Sequence, residues 1–262
     1  MDLRGRRVLV TGASRGIGEA IVRRLAPTGA SLALVARQEK PLTALAAELG
    51  AVAYPADLSD PHQVSALIQR VEADGPVDVL VNNAGIDNCG AFTAQSAEEL
   101  RQIYQVNLLA PAELCRRVIP NMVGRGRGHI VNVSSTAGVA VLPGLVAYSS
   151  TKAGLSQLTA GLRADLKGLP VGTTLVELGP IPTEMLSKVD SYRPAAKAFR
   201  RLHQLGVLVD VSKERVAADV VEAIERDRRH VRLPRRAAVF PLMVEAPRWI
   251  VELLLSGVEP RA

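Results

Sequence analysis

Short apolar runs alternate with longer stretches of helical periodicity along most of this chain. The apolar runs predict seven strands, over residues 7–11, 31–36, 51–55, 77–81, 128–134, 171–178 and 230–233. Apolar residues spaced three and four apart predict helices over residues 17–26, 40–49, 96–122, 146–167 and 213–226, and a further helix that begins at Asp60-Pro61. This alternation predicts an α/β fold, with a doubly wound parallel sheet of about seven strands and helices on both faces.

Two parts of the chain depart from that alternation. The segment after Gly179 contains Pro180, Pro182 and Pro194 and is predicted to be irregular, because proline interrupts regular backbone hydrogen bonding. Residues 239–258 are apolar, but they include charged residues and proline, which makes them a poor membrane span. We interpret this C-terminal apolar segment as packing in the core or between subunits. Lying on a membrane surface and closing over a pocket are the alternatives.

The composition supports one buried sheet and gives no indication of a nucleic-acid partner. Hydrophobic residues make up 48% of the 262 residues and aromatic residues only 3%, so we expect a single domain with a core of Ala, Val, Leu and Ile. The formal net charge is +6, and basic residues cluster at positions 226–236. Because no aromatic residues are interleaved with them, we expect no nucleic acid. We interpret the cluster as solvated surface, with contact to an anionic lipid or an acidic carrier as the alternative.

Cysteine, histidine and the N-terminal residues argue against several other classes of protein. The two cysteines, Cys89 and Cys115, do not make a disulfide framework. Residues 1–7 run directly into the first predicted strand and show no secretory signal. The prediction is therefore a cytoplasmic protein. The four histidines are scattered without ligand spacing, so no metal site is expected.

A glycine-rich stretch lies between the first predicted strand and the first predicted helix. Its glycines are Gly12, Gly16 and Gly18. Glycine permits a tight turn and a close approach of backbone to a pyrophosphate, and the following helix offers unpaired N–H groups to the same phosphate. Such a loop is a weak signal by itself, and its position between strand and helix strengthens it. An ordinary turn between strand and helix is the alternative.

A phenol and an amine lie one helical turn apart at Tyr148 and Lys152, 13 residues after Ser135. Moving a hydride to or from a carbon also requires moving a proton on its oxygen, and the usual tyrosine pKa of about 10 is too high for that near neutrality. We expect the Lys152 ammonium and a positive nicotinamide to lower the pKa of Tyr148. Without the glycine loop, the pair would be interpreted as two exposed residues of a helix.

The glycine stretch resembles the motif of the short-chain dehydrogenase/reductase family in its run Thr11-Gly12-Ala13-Ser14-Arg15-Gly16-Ile17-Gly18. The resemblance continues at Asn82-Asn83-Ala84-Gly85, at Asn107, at Val131-Asn132-Val133-Ser134-Ser135 and at Tyr148-x-x-x-Lys152, and it covers about residues 6–185. It implies a Rossmann-type fold and an enzyme that interconverts a carbonyl and a secondary alcohol with a nicotinamide cofactor.

The resemblance also implies roles for individual residues. Tyr148 would be the acid/base, and Lys152 would hold the nicotinamide ribose and tune the phenol. Ser135 would bind the substrate oxygen; strand alternation places its neighbour Ser134 on the opposite face. Asn107 would support a water that leads protons from Lys152 to solvent, with a helix-bending or capping asparagine as the alternative. The expected catalytic set is therefore Asn107, Ser135, Tyr148 and Lys152.

The expected cofactor site extends over several loops. Asp57 would meet the adenine, with a turn-forming aspartate as the alternative. Asn83 would pass near a ribose, with an asparagine that ties its strand to the neighbouring one as the alternative. After the sixth strand Leu178 replaces the family's usual proline, while Ile181 and Thr183 still align with the family's pattern. The complete expected set is Gly12, Ser14, Arg15, Gly16, Ile17, Gly18, Arg37, Asp57, Leu58, Asn83, Ala84, Gly85, Tyr148, Lys152, Gly179, Ile181 and Thr183.

The end of the second strand indicates which nicotinamide cofactor is preferred. An acid there would bind the ribose 2′-hydroxyl of NAD, whereas this chain has Ala36-Arg37 and no carboxylate. Arg15 lies inside the glycine loop. Guanidinium groups pair well with phosphate, so the two arginines favour the 2′-phosphate of NADP(H) over NAD(H). Each arginine alone could equally be surface charge.

Three segments are expected to close the substrate pocket, namely residues 86–92, 137–145 and 184–205, the last as a lid. The second is apolar, and the third carries Lys188, Arg193, Lys197, Arg200 and Arg201. An apolar throat behind a basic mouth suits an acyl, steroid or other lipid-like carbonyl compound, such as one on a phosphorylated carrier. The lid charges may equally be no more than solvated surface.

Two other classes of protein remain as alternatives. One is a non-catalytic regulator or scaffold that binds the nicotinamide cofactor without turnover, and the other is a lipid-surface protein that works through residues 239–258. Family members are usually homodimers or homotetramers joined through long helices. The resemblance therefore implies a homo-oligomer, with residues 96–122 and 146–167 as candidate contacts.

Overall fold

Seven parallel strands form the centre of the molecule. The computed structural model describes residues 1–140, 142–181, 188–206, 209–238 and 241–245. Its strands are β1 Arg7–Thr11, β2 Ser31–Ala36, β3 Val52–Pro55, β4 Val79–Asn82, β5 Gly128–Ser135, β6 Val171–Leu178 and β7 His230–Leu233. They form one sheet in the order β3-β2-β1-β4-β5-β6-β7, and every neighbouring pair is parallel. The order reverses between β1 and β4, which opens a crevice at the carboxyl ends of these strands.

Helices cover both faces of this sheet. They are α1 Gly16–Leu25, α2 Glu39–Leu49, α3 Pro61–Glu72, α4 Ala97–Tyr104, α5 Ala110–Gly124, α6 Val146–Asp165, α7 Arg193–Gln204 and α8 Lys213–Glu225. Short 3-10 turns lie at Ala26–Thr28, Phe92–Ala94, Thr136–Gly138, Lys188–Ser191 and Arg235–Ala238. The predicted start of α3 is confirmed, since the Asp60 carboxylate accepts a hydrogen bond of 2.9 Å from His62 N and Pro61 follows it as the first helical residue.

The core lies in two layers, one on each side of the sheet. Val8 and Val10 of β1 pack with α1, α2 and α8, whereas Leu9 between them packs with α3 and α5 on the opposite face. This is the two-residue alternation of a strand. All five residues of β1 are buried, as expected for a parallel sheet covered on both sides. The predicted α/β class and single sheet are confirmed.

The fourth strand begins two residues later than predicted. The prediction was residues 77–81, and β4 spans Val79–Asn82. Val77 O accepts a hydrogen bond of 2.6 Å from the guanidinium of Arg125, so this carbonyl is occupied outside the sheet ladder. The other strand predictions hold to within one residue at each end.

The predicted long helix over residues 96–122 is interrupted. Helix α4 ends at Tyr104, a π-helical turn spans Gln105–Leu109, and α5 begins at Ala110. Pro111 is the second residue of α5 and follows this turn directly. The irregularity is one π turn centred on Asn107, and such turns occur often at functional sites.

The segment after Gly179 is more regular than predicted. Residues 193–204 form α7, with Pro194 in the first turn, where proline is tolerated, and with Ala195 buried against the body. Of the C-terminal apolar segment only residues 241–245 lie in the described part, and they are helical. No helix in the described ranges is long and apolar enough to cross a membrane.

Candidate active site

The glycine loop lies at the carboxyl end of β1 and leads into α1. Gly12 has a φ of +65°, and a Cβ added there would lie 2.8 Å from Ala84 Cα. A Cβ added at Gly18 would collide with Gly12 O and with the side-chain amide of Asn83. Gly16 has a φ of +60°, a left-handed backbone conformation that favours glycine. The space around it is open, which leaves room above the loop.

The N-terminus of α1 faces this loop. Arg15 occupies the N-cap with an extended backbone, and its side chain makes no capping hydrogen bond to the helix. The first backbone N–H groups of the helix therefore remain available to an anion, and the helix dipole adds positive potential. Ser14 and Ile17 flank this end and are partly buried. Together with the glycine cradle, this arrangement fits the pyrophosphate of a dinucleotide.

The neighbouring loops clarify two residues whose interpretation was open. The Asp57 carboxylate accepts hydrogen bonds from Ser59 N at 2.9 Å and from Ser59 Oγ at 2.7 Å, so it does form a turn. Asn83 Nδ2 donates to Thr11 O at 3.0 Å, which ties β4 to β1. Both residues thus have a structural task at the sheet edge where the cofactor is expected. Leu58 beside them is buried and Arg37 is exposed.

The Asn107 side chain clamps the chain as it leaves β4. Asn107 is fully buried; its Oδ1 accepts a hydrogen bond of 2.9 Å from Ile86 N, and its Nδ2 donates one of 2.8 Å to Ile86 O. Nδ2 also donates to Thr151 Oγ1 at 3.2 Å. A Cβ added at Gly85 would lie 3.4 Å from Asn107 Oδ1 and 3.5 Å from Lys152 Nζ. Both are ordinary van der Waals distances, so the chain after β4, the π turn and the lysine lie in contact range of one another at this position.

Tyr148 and Lys152 meet near the carboxyl end of β5. Lys152 Nζ lies 5.8 Å from the centroid of the Tyr148 ring and donates a hydrogen bond of 2.9 Å to Val133 O. The lysine is only 4% exposed, and this burial lowers its pKa to about 8. The ammonium is thus aimed at a carbonyl and lies over the ring.

The pKa of the Tyr148 phenol is raised, whereas the sequence predicted that it would be lowered. Burial raises it to about 12, a hydrogen bond with Ser135 lowers it, and the negative charge of Asp87 raises it. The sequence predicted a lowered value from the Lys152 ammonium together with a positive nicotinamide. Among the groups of the chain itself burial outweighs any such effect, and the lysine charge is directed to Val133 O.

The two serines at the end of β5 point to different partners. Ser134 is buried, and its Oγ donates to Lys152 O at 2.9 Å and lies 2.9 Å from Ser156 Oγ. Ser135 Oγ donates to Leu178 O at 3.2 Å and lies close enough to Tyr148 to lower the pKa of that phenol. Strand alternation therefore places only the second hydroxyl beside the phenol, as expected.

The three segments expected to close the substrate pocket do meet in the described part of the chain. Gly90 N donates a hydrogen bond of 3.0 Å to Gly144 O. Gly144 has a φ of +82°, and a Cβ there would lie 2.6 Å from the ring of Tyr192 and 3.3 Å from Cys89 Sγ. The ring of Tyr192 thus packs directly on the Gly144 backbone and brings residues 188–192 to the site.

The remaining expected residues lie at the sheet edge, on the lid, or outside the described residues. Gly179 N donates to Leu233 O at 2.7 Å and Ile181 is buried, so both lie at the carboxyl edge of the sheet. Thr183 and the side chain of Lys188 lie outside the described residues. The lid residues Arg193, Lys197, Arg200 and Arg201 are exposed. Within the described ranges no cluster of side chains could hold a metal ion.

Sequence reasoning missed Asp87 and Tyr192 as individual members of the site. Asp87 directly follows the Asn-Asn-Ala-Gly-Ile run, so its place after β4 was a signal that could have been used. Tyr192 carries no such signal. Its contact with Gly144 joins positions 48 residues apart and follows from the tertiary packing of residues 188–192.

Comparison with known proteins decides the family. A model of the short chain dehydrogenase family matches residues 6–194. The chain belongs to the short-chain dehydrogenase/reductase family. This assigns it to the oxidoreductases and gives the crevice between β1 and β4 its general task, which is to bind a nicotinamide cofactor.

Among curated relatives, the chain is similar to ketoacyl reductase HetN of Nostoc sp., with 42% identity over 180 residues. That match covers 66% of this chain and 63% of HetN, so the chain spans less than two thirds of that protein. It is also similar to nodulation protein G of Rhizobium sp., with 38% identity over 215 residues, covering 80% of this chain and 88% of that protein.

Solved short-chain dehydrogenase structures share the fold over nearly the whole chain. One from Sphingobium yanoikuyae in complex with NADPH has a TM-score of 0.80 and 28% identity, covering 97% of this chain and 98% of that one. One from Burkholderia phymatum in complex with NAD has a TM-score of 0.79 and 27% identity, covering 100% and 99%. These neighbours hold different nicotinamide cofactors and so do not decide between them.

A glycine pair tests the cradle. Gly18→Ala places a Cβ against the Gly12 carbonyl, and we expect overpacking to destabilise the protein by about 1–3 kcal/mol and to weaken NADPH binding at least about tenfold. Gly161→Ala is the matched helical control, because a Cβ there meets no atom within 4 Å. It should stabilise by about 0.5–1 kcal/mol.

Chemical denaturation and NADPH fluorescence titration measure the two effects. Equal behaviour of the Gly18 and Gly161 variants in both measurements would contradict the close approach of α1 to the loop.

Proposed function

We propose that the protein is an NADP(H)-dependent oxidoreductase that interconverts a carbonyl group and a secondary alcohol. The observation that carries this proposal is the convergence of three groups at the end of β5. The Tyr148 phenol lies beside Ser135, whose hydroxyl lowers the pKa of that phenol, and the Lys152 amine lies over the same ring. A hydrogen-bonding hydroxyl, a proton donor and a nearby amine are what a carbonyl oxygen needs as it becomes an alcohol.

In the reductive direction Tyr148 donates its proton to the substrate oxygen, which Ser135 also binds. The raised pKa of the phenol keeps it protonated at neutral pH, as an acid must be. When bound, the nicotinamide supplies or accepts the hydride at the carbon. Lys152, with a pKa lowered to about 8, is suited to return a proton to the phenol at neutral pH. Asn107, close to Lys152 across Gly85, holds this path in place.

The chain's own residues support a cofactor with a 2′-phosphate. The glycine cradle and the N-terminus of α1 would hold the pyrophosphate, and Lys152 would hold the ribose. Arg37 follows β2 and is exposed, and Arg15 is exposed at the start of α1, with no acid at the end of β2 to prefer a 2′-hydroxyl. The NADPH bound to the Sphingobium relative agrees with this preference.

The substrate we propose is an apolar acyl, steroid or lipid-like carbonyl compound, covered by residues 184–205 as a lid. Support comes from the walls of the site, where Leu145 is buried, Leu142 is partly buried and the Tyr192 ring lies against Gly144. HetN, a relative, is a ketoacyl reductase. The exposed arginines of α7 form the basic rim that suits a phosphorylated carrier.

We further propose a cytoplasmic homo-oligomer. Leu109, in the middle of the first helical segment expected to join subunits, is 53% exposed, and Val146, at the start of the second, is 51% exposed. Exposed aliphatic side chains on long helices are suited to burial against a second copy. Both cysteines are free, as is usual in a reducing compartment.

Removing one hydroxyl tests the proposed acid. In Tyr148→Phe we expect kcat to fall at least about 100-fold, because general acid catalysis typically contributes that much, while NADPH still binds. Tyr104→Phe is the matched control and should keep its activity, since the Tyr104 hydroxyl lies 2.6 Å from Ser150 Oγ, away from the proposed proton donor. NADPH oxidation is followed across long-chain 3-oxoacyl thioesters, ketosteroids and small polar ketones.

The same panel distinguishes the alternatives. A clear preference for small polar ketones would contradict the apolar substrate class. If the unmodified protein binds NADPH but turns over no carbonyl compound, a non-catalytic nicotinamide-binding regulator or scaffold becomes the better account.

A single arginine tests the cofactor preference. In Arg37→Ala we expect the KM for NADPH to rise about tenfold or more, because a charge-assisted hydrogen bond to phosphate contributes about 1.5–3 kcal/mol. The KM for NADH should stay within about threefold. Arg24→Ala is the control, because Arg24 is also exposed but lies in the last turn of α1, at the end away from the glycine loop. It should change neither KM. An equal rise of the KM for NADPH and the KM for NADH in Arg37→Ala would contradict recognition of the 2′-phosphate by Arg37.

A further inference from the structure

The Tyr192 ring starts from a backbone that is fixed on both sides. Tyr192 N donates a hydrogen bond of 3.3 Å to Val189 O, and Tyr192 O accepts one of 3.0 Å from Ala196 N. Val189, in the turn before the ring, and Ala195, in the first turn of α7 after it, are both buried. The aromatic side chain therefore projects from a point that two buried residues anchor to the body of the protein.

The opposite wall meets this ring at Gly144. A Cβ added there would lie 2.6 Å from Tyr192 Cδ1, 2.9 Å from Tyr192 Cε1 and 3.3 Å from Cys89 Sγ. Because carbon atoms in contact lie about 3.5–4.0 Å apart, not even one methyl group fits between the ring and this backbone. Gly90 N also donates a hydrogen bond of 3.0 Å to Gly144 O. Lid, loop and the segment after β4 thus close on one another at this point.

The closed point lies next to the groups that are proposed to bind the substrate oxygen. Gly144 precedes Leu145, whose carbonyl accepts a hydrogen bond of 2.7 Å from Ser149 N in the first turn of α6. Tyr148 lies in that same turn, and Ser135 ends the strand from which the chain reaches this helix. The ring of the lid is therefore placed along the connection that joins the two hydroxyl groups.

We propose that Tyr192 is a specificity-determining residue that limits the width of the substrate beside the reacting carbonyl. This inference rests on the proposed function of Tyr148 and Ser135. When the substrate oxygen binds to these two groups, one substituent of the carbonyl faces the wall formed by the Tyr192 ring, the Gly144 backbone and Cys89. That wall has no gap, so a branch next to the carbonyl, or a fused ring system, has to displace the lid.

The inference narrows the apolar substrates proposed above. An unbranched acyl chain is slim at every position and passes the Tyr192 ring without moving it. A steroid ketone is part of a rigid fused ring system and does not. Unbranched oxoacyl esters and thioesters are therefore the substrate class that fits.

A matched pair of substrates tests the proposal with the NADPH-bound enzyme. Ethyl acetoacetate and ethyl pivaloylacetate are the same 3-oxo ester with a methyl or a tert-butyl group on the reacting carbonyl. The ratio of their kcat/KM values is compared between variants, which cancels their intrinsic difference in reactivity. In Tyr192→Ala we expect the ratio of the tert-butyl to the methyl compound to rise about tenfold or more, because even one methylene in an apolar pocket changes kcat/KM by about that factor.

Tyr192→Phe is the matched control, since it removes the hydroxyl and keeps the ring. It should leave the ratio within about twofold of the unmodified enzyme, because the contacts at Gly144 are made by ring carbons. An unchanged ratio in Tyr192→Ala, or an equal rise in Tyr192→Phe, would overturn the role of the ring.

A second measurement does not depend on turnover. The chain has two cysteines, and burial raises the pKa of the Cys115 thiol to about 12, so labelling of the native protein by N-ethylmaleimide reports on the partly buried Cys89. We expect Tyr192→Ala to raise the labelling rate at least about fivefold and Tyr192→Phe to leave it unchanged, because thiol reactivity follows exposure. Equal rates in all three proteins would show that the ring does not cover this wall.

The two measurements keep the two claims apart. If the unmodified enzyme turns over neither ester while Cys89 labelling responds to Tyr192→Ala, the result counts against the proposed function and leaves the place of the ring intact. Turnover with an unchanged ratio of the two esters in Tyr192→Ala counts against Tyr192 alone.

Discussion

A buried amine next to a half-buried phenol is the constraint on which the rest of the site depends. Lys152 Nζ is held 2.9 Å from Val133 O and 5.8 Å from the centre of the Tyr148 ring. Burial disfavours the charged form of either group, which lowers the pKa of the lysine and raises that of the tyrosine. The protein therefore presents a protonated phenol beside an amine that exchanges its proton near neutrality.

The parallel sheet is what brings these groups together. Gly12 follows β1, Gly85 follows β4 and Ser135 ends β5, so residues more than a hundred positions apart meet at one edge. The close approaches depend on missing side chains. Gly18 admits the Gly12 carbonyl, and Gly144 admits the Tyr192 ring. A small number of glycines thus determines how closely loop, helix and lid pack around the crevice.

Much of the fold could be predicted because its determinants are local. The apolar run of β1 and the cap at Asp60 are readable from neighbouring residues, and the motifs around Gly12 and Tyr148 identify the family. The π turn at Asn107 could not be predicted, since it depends on the hydrogen bonds of this side chain to Ile86, 21 residues away. The direction of the Tyr148 pKa shift was missed for a similar reason. Burial depends on the whole fold, whereas the spacing of Tyr148 and Lys152 shows only that the two side chains are neighbours on one face of a helix.

The ionisation of the Tyr148 phenol, titrated by NMR with and without saturating NADP+, tests this account most directly. For the protein alone we expect a pKa well above the ordinary tyrosine value, near 12, and a lower value once the positively charged nicotinamide ring of the cofactor is bound beside the phenol. A phenol that already ionises at or below its ordinary pKa in the protein alone would contradict the dominance of burial. A phenol that does not respond to NADP+ would contradict its place beside the nicotinamide.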